Sequence, residues 1–180
     1  MPTNRSDEIE LSIDELREIA GFAVECALRA LPIFERYVPD DSRPREAIEA
    51  AFAFSKDGKR SNTLRASGLA AFKAGRAVKV NAPAAAEAAQ AATQAVGAAF
   101  LHPLAKAHQV GHILGSAAYA ARAAELEAGD NRSVGAECRD WAIEHAHTTV
   151  ALVLTRYPAA PAGGGRVGEL LRELDAALRP

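Results

Sequence analysis

Apolar residues recur at helical spacing through most of the chain. Ser12 and Glu15 make a capping box, in which the hydroxyl takes a backbone N–H and the carboxylate reaches back. Beyond it Ile13, Leu16, Ala20, Ala23, Ala27, Ala30 and Phe34 step by three and four, which predicts a first helix. Pro32 falls inside that pattern and predicts a kink or a restart. Ser42, with Pro44 in the first turn, opens a second helix that Asp57-Gly58 stops after about Lys56. Ser61 or Asn62 opens a third, running to about Val80, in which Gly68 and Gly75 mark close contacts with a neighbour. Asn81-Ala82-Pro83 starts an alanine-rich fourth helix that ends near His102-Pro103.

The fifth helix is expected over 104–128, stopping at Gly129. It is apolar nearly all round from Ala107 to Ala121, and a helix without a wide polar face is usually central. Ser133 is expected to cap a sixth helix that runs to about Tyr157, and Val167 to Leu178 reads as a short last one. No segment alternates with period two. The expectation is an all-α, single-domain bundle of six or seven helices around a central apolar helix. Its parts are a flexible tail over 1–11, the bundle over 12–157, a linker over 158–165, and a C-terminal helix over 166–180 that packs on the bundle.

Composition sharpens the packing. Hydrophobic residues make up 49% of the chain but aromatics only 6%, because alanine dominates. Small side chains let helices approach closely around a few large anchors: Phe22, Phe34, Phe52, Phe54, Phe72, Phe100, Tyr119, Trp141 and Tyr157. A formal net charge of -2 offers no strong overall field to draw in nucleic acid. The start of the chain is polar and carries no apolar core of a secretion signal, and no run of about 18 apolar residues would span a membrane. Cytoplasmic residence is the expectation, with Cys26 and Cys138 as reduced core residues.

Candidate chemistry centres on 108–119. His108 and His112 share a helix face, and Ser116 and Tyr119 extend the stripe. Gly111 and Gly115 form a second stripe, where another backbone can come close. Three readings of the polar stripe stand side by side. The imidazoles hydrogen-bond across the core, or they line a polar ligand pocket with His145, or they chelate zinc with a third ligand from Cys138, Glu144 or His145. The glutamate of a zinc-protease signature does not follow the first histidine. Cys138 and His145 lie two turns apart on one helix, roughly 10 Å, too far for a nucleophile pair. Gly163-Gly164-Gly165 lacks the lysine and the preceding strand of a phosphate loop. Lys56, Lys59, Arg60 and Arg65, with Arg43 and Arg45, read either as a solvated loop or as a basic patch for an acidic partner.

Several stretches then carry a resemblance. They are 31–35 (Leu-Pro-Ile-Phe-Glu), 40–51 (from Asp40-Asp41-Ser42-Arg43-Pro44 onward), 107–112 with Gly115, Ala118 and Tyr119, and Glu137-Cys138-Arg139-Asp140-Trp141 with Glu144-His145. In these the chain resembles a bacterial immunity-protein family built on an all-helical, immunity-five-like domain, some members of which carry an exonuclease label. It departs from that pattern in the basic stretch Lys56 to Ser61 and at His147, where the family has an apolar-proline turn. The resemblance implies a non-catalytic module that binds and neutralises a toxin protein, without a cofactor. Asp40, Asp41, Arg43, Arg45 and Glu46 are then candidate partner-binding residues, the acidic ones suited to a basic toxin. Two other classes remain: a metal-dependent hydrolase on His108, His112 and His145, with zinc as its cofactor, and a bundle that self-associates through small-residue faces such as 84–99.

Overall fold

A computed structural model describes residues 7–180 and is helical throughout, with no strand among those residues. Eight helices follow in order: α1 (Ile13–Tyr37), α2 (Arg43–Lys56), α3 (Asn62–Val78), α4 (Pro83–Ala98), α5 (Val110–Glu127), α6 (Arg132–His145), α7 (Thr148–Leu154) and α8 (Gly165–Leu178).

The Ser12–Glu15 capping box forms in both directions, at 3.1 and 2.9 Å. Helix α1 continues through Pro32 without ending there. Ser61 caps α3 by accepting the Leu64 N–H at 3.0 Å. Ser42 makes no such bond; its hydroxyl donates to Glu46 instead. At α6 the cap is Asn131 rather than Ser133, whose N–H and hydroxyl both donate to the Asn131 Oδ1.

Three boundaries differ from expectation. Helix α4 ends at Ala98, short of His102-Pro103. Helix α5 begins at Val110, after a 3-10 turn over Ala107–Gln109. The backbone before it is occupied elsewhere: Ile9 N donates to Pro103 O and Ala105 N donates to Asp7 O. The expected sixth helix is two, which raises the count to eight. Ala146 and His147 are extended, and the β-branched run Thr148-Thr149-Val150 that follows is a poor helix interior. The break turns Val150, Val153 and Leu154 into the core beside α1.

Helices α4 and α5 form the centre. Helix α4 packs on α1, α2, α3 and α5, and α5 packs on α1, α4, α6 and α8. Ten of the sixteen residues of α4 are buried and nine of those are alanine. The large anchors divide into two groups. Phe22, Phe34, Phe54 and Tyr157 are buried, whereas Phe72, Phe100, Tyr119 and Trp141 are only partly covered and Phe52 is 49% exposed. Cys26 is buried and Cys138 half-buried, and both are free thiols; burial pushes the Cys26 thiol far up.

The ends of the chain are tied to this body. Residues 1–6, part of the expected tail, lie outside the described residues. Arg156 bonds both Glu15 carboxylate oxygens and the Glu10 carbonyl. Segment 158–165, expected as a flexible linker, is bonded to α8: Asp175 accepts from Ala160 N, and Arg172 donates to the carbonyls of Pro161 and Gly163. Fully buried Glu125 of α5 receives Arg122 and Arg166, which fixes α8 against the bundle.

Candidate binding trough between α3, α4 and α5

Helices α3 and α4 run antiparallel and unusually close. A Cβ at Gly68 would sit 2.9 Å from Val96, and one at Gly75 would sit 3.0 Å from the Ala86 carbonyl oxygen. The two glycines expected to mark close contacts therefore do so. The close approach leaves side chains of both helices standing along a shared edge. From α3 these are Arg65, Leu69, Phe72 and Arg76, at spacings of four, three and four that keep them on one side. From α4 they are Glu87, Gln90, Thr93 and Gln94. Three adjoining hollows share Arg65 and Phe100 at one junction and Phe72 and Thr93 at the other, so they form one trough. The hollow at one end, about 500 Å³, reaches Tyr119 of α5.

Charge is strongly segregated around this trough. Residues 58–124 hold eight lysines and arginines against one carboxylate, Glu87. Residues 7–57 hold thirteen carboxylates against six cations. Among the described residues, only Arg122 of those eight makes an ion pair. The other seven, Lys59, Arg60, Arg65, Lys73, Arg76, Lys79 and Lys106, are exposed and have no carboxylate of the described residues within ion-pair distance. Arg65 lies over the Phe100 ring at 4.5 Å and Arg76 over Phe72 at 5.9 Å. The closer contact holds the Arg65 stem along the apolar floor and keeps its charge at the rim. Leu69 between them is 53% exposed.

The polar stripe of α5 divides among three settings. Ser116 is a tie: its buried hydroxyl donates toward Ala23 O at 2.7 Å and Ala91 O at 3.0 Å, joining α5 to α1 and α4. His108 lies in the 3-10 turn, exposed, with its Nε2 2.9 Å from the Gln109 amide nitrogen, while Gln109 Oε1 accepts the His102 N–H. His112 is half-buried beside Gly97, and its Nδ1 is buried without a hydrogen bond. Burial first, and His108 second, lower its pKa, with the Gly97 backbone pulling weakly the other way. Tyr119 lines the trough, and burial and nearby Glu87 raise its pKa. Burial likewise raises Glu87, whose Oε2 is buried and unpartnered, against the pull of Lys79 and Arg122.

His145 lies on the exposed side of α6. It stacks on Trp141 at 4.2 Å and its Nδ1–H donates to the Trp141 carbonyl. Arg29 covers the same indole at 4.1 Å. Among the described residues, no three His, Cys, Asp or Glu side chains converge in a way that could hold a metal ion. Of the two α5 glycines expected to admit a backbone, Gly115 instead admits the Gln94 side chain, and Gly111 has open space.

The acidic turn before α2 is largely self-paired. Arg43 forks onto Asp41, Arg45 forks onto Glu35, and Glu46 takes the Ser42 hydroxyl. Asp40 alone of those candidates has a side chain without a hydrogen bond or ion pair among the described residues. Glu87, Gln90 and Gln94 were missed as site residues. The signal was present: three long polar side chains at spacings of three and four are the main interruption of an alanine helix.

Fold and trough define a class: an all-helical domain with a charge-segregated surface and one long cleft between packed helices. The family model of the Imm-5 like putative immunity protein matches residues 10–149, and the chain belongs to that family. No curated protein and no solved structure matches it significantly. Among the described residues, no helix is long and apolar enough to cross a membrane.

Proposed function

We propose that this chain is an immunity protein that neutralises a bacterial toxin in the cytoplasm by binding it, without chemistry of its own. Membership of the family over most of its length carries the reading. The surface supports it. A binder needs complementary charge and a few aromatic or arginine anchors, because such residues supply most of the energy of an interface. The trough offers Arg65, Arg76, Phe72 and Phe100 in that role, with Arg65 already set against Phe100. His108 and His145 support this reading over a hydrolytic one. Gln109 engages His108, Trp141 engages His145, and the two groups stand on different elements.

Co-expression tests the reading. The product of a toxin-like reading frame beside this gene should arrest growth alone. Co-expression with this chain should restore growth, and the two proteins should co-purify as a complex. Arrest that persists beside well-expressed, folded protein, with no complex, would refute the function.

A further inference from the structure

We propose that the α3 side of the trough docks an acidic segment of a partner protein, with carboxylates at Arg65, Arg76 and Lys79 and an apolar side chain over Leu69. The proposal rests on the protein-binding reading above and supplies its surface. Three observations carry it. First, four exposed cations line the trough, Arg60, Arg65, Arg76 and Lys79, and none has an ion-pair partner among the described residues, whereas ten of the other sixteen described cations are paired. An acidic segment could meet those charges without breaking an existing pair. Second, the 4.5 Å contact with Phe100 holds the Arg65 guanidinium in place, so less side-chain entropy is lost on docking. Third, the hollow beside it is mostly apolar, lined by Leu69, Phe72, Val96 and Phe100, and holds about 320 Å³, room for a large apolar side chain.

The occupant is a short acidic protein segment rather than a nucleic acid for two reasons. The excess of positive charge is confined to 58–124, and the adjoining α1–α2 region carries thirteen carboxylates that would repel a long polyanion. An apolar hollow between cations matches an amphipathic segment and gives nothing to a phosphate backbone.

The test uses the whole chain and three labelled probes in fluorescence anisotropy. One is an amphipathic peptide of leucine and glutamate, about four helical turns long; one is a lysine counterpart; one is a single-stranded oligonucleotide of the same charge as the acidic peptide. The acidic peptide should bind, and more weakly as salt rises. The triple variant Arg65→Glu, Arg76→Glu, Lys79→Glu should lose about tenfold or more in affinity. A control triple on the acidic face, Glu18→Lys, Glu25→Lys, Glu49→Lys, should bind at least as well as the parent. If charge reversal disturbs the helical melt, Arg65→Gln with Arg76→Gln and, separately, Leu69→Asp should each still weaken binding. Absence of acidic-peptide binding, equal loss in both triples, or tighter binding of the oligonucleotide would each overturn the proposal. The growth assay separates the two readings. Protection that survives the α3 reversal overturns this surface and leaves the immunity function standing; peptide binding without protection does the opposite.

Discussion

At the scale of single residues, the glycines of this chain are not equivalent. Gly75 faces backbone, with the Ala86 carbonyl oxygen 3.0 Å from the place of a Cβ. Backbone cannot rotate out of the way, so Gly75→Ala should cost about 1–3 kcal/mol in overpacking. The gain in helix propensity, about 0.5–1 kcal/mol, offsets only part of that. Gly111 has nothing within 4 Å. Gly111→Ala should therefore leave stability unchanged or raise it by a few tenths of a kcal/mol, since helix ends feel propensity less than interiors. Urea melts of both variants check the pair; a stabilising Gly75→Ala would contradict the close α3–α4 approach.

The Glu15–Arg156 pair makes a second statement at this scale. The Arg156 guanidinium, with help from Ser12, lowers the Glu15 carboxyl from 4.5 to about 2. A carboxyl held lower in the folded than in the unfolded chain contributes stability that is complete above the unfolded pKa. That contribution disappears as pH falls from about 4.5 to about 2. Both side chains are partly exposed, so the effect is modest and sensitive to salt. Glu15→Gln should flatten the acid limb of the melting-temperature profile in that window and leave its slope near neutrality unchanged.

At the scale of elements, what was legible followed local rules. The capping box at Ser12, the cap at Ser61, the stop at Asp57-Gly58 and the apolar periodicity of α1 all depend on neighbours in sequence. The late start of α5 does not. It depends on Asp7 and Ile9 taking the hydrogen bonds of 103–105 from almost a hundred residues away, which no local pattern encodes. The break between α6 and α7 was half legible, in the β-branched run and in the family's turn at that place. The site was less readable than the fold. His108, His112, Ser116 and Tyr119 form one stripe in sequence, yet they serve a turn, a helix junction, an interhelical tie and a cleft. Helical spacing gives the face, not what the face meets.

The α5–α6–α8 junction yields an element-scale prediction. Gly135 lies against the buried Glu125 carboxylate, and a methyl there would overlap it. Gly135→Ala should push Glu125 away from Arg122 and Arg166 and leave a buried charge short of partners. Breaking such a buried pair costs roughly 3–5 kcal/mol, so the variant should melt far below the parent. A melt within a degree of the parent would show that α6 has room to move and that the network does not fix it.

At the scale of the molecule, net charge was a poor guide. The overall value of -2 conceals an acidic region over 7–57 and a basic one over 58–124 that cancel. Counted over the whole chain there is little field; counted by region there are two opposed ones. That segregation, together with family membership and the trough, is why binding is the function argued. Binding and catalysis differ in stoichiometry, and the most direct measurement is a titration. The toxin's activity, followed in vitro at a concentration well above the dissociation constant, is measured as purified protein is added. Neutralisation by binding predicts a linear fall that ends at a fixed stoichiometric equivalence, with activity returning when the complex is dissociated. Complete and lasting inactivation by a small fraction of one equivalent would contradict it.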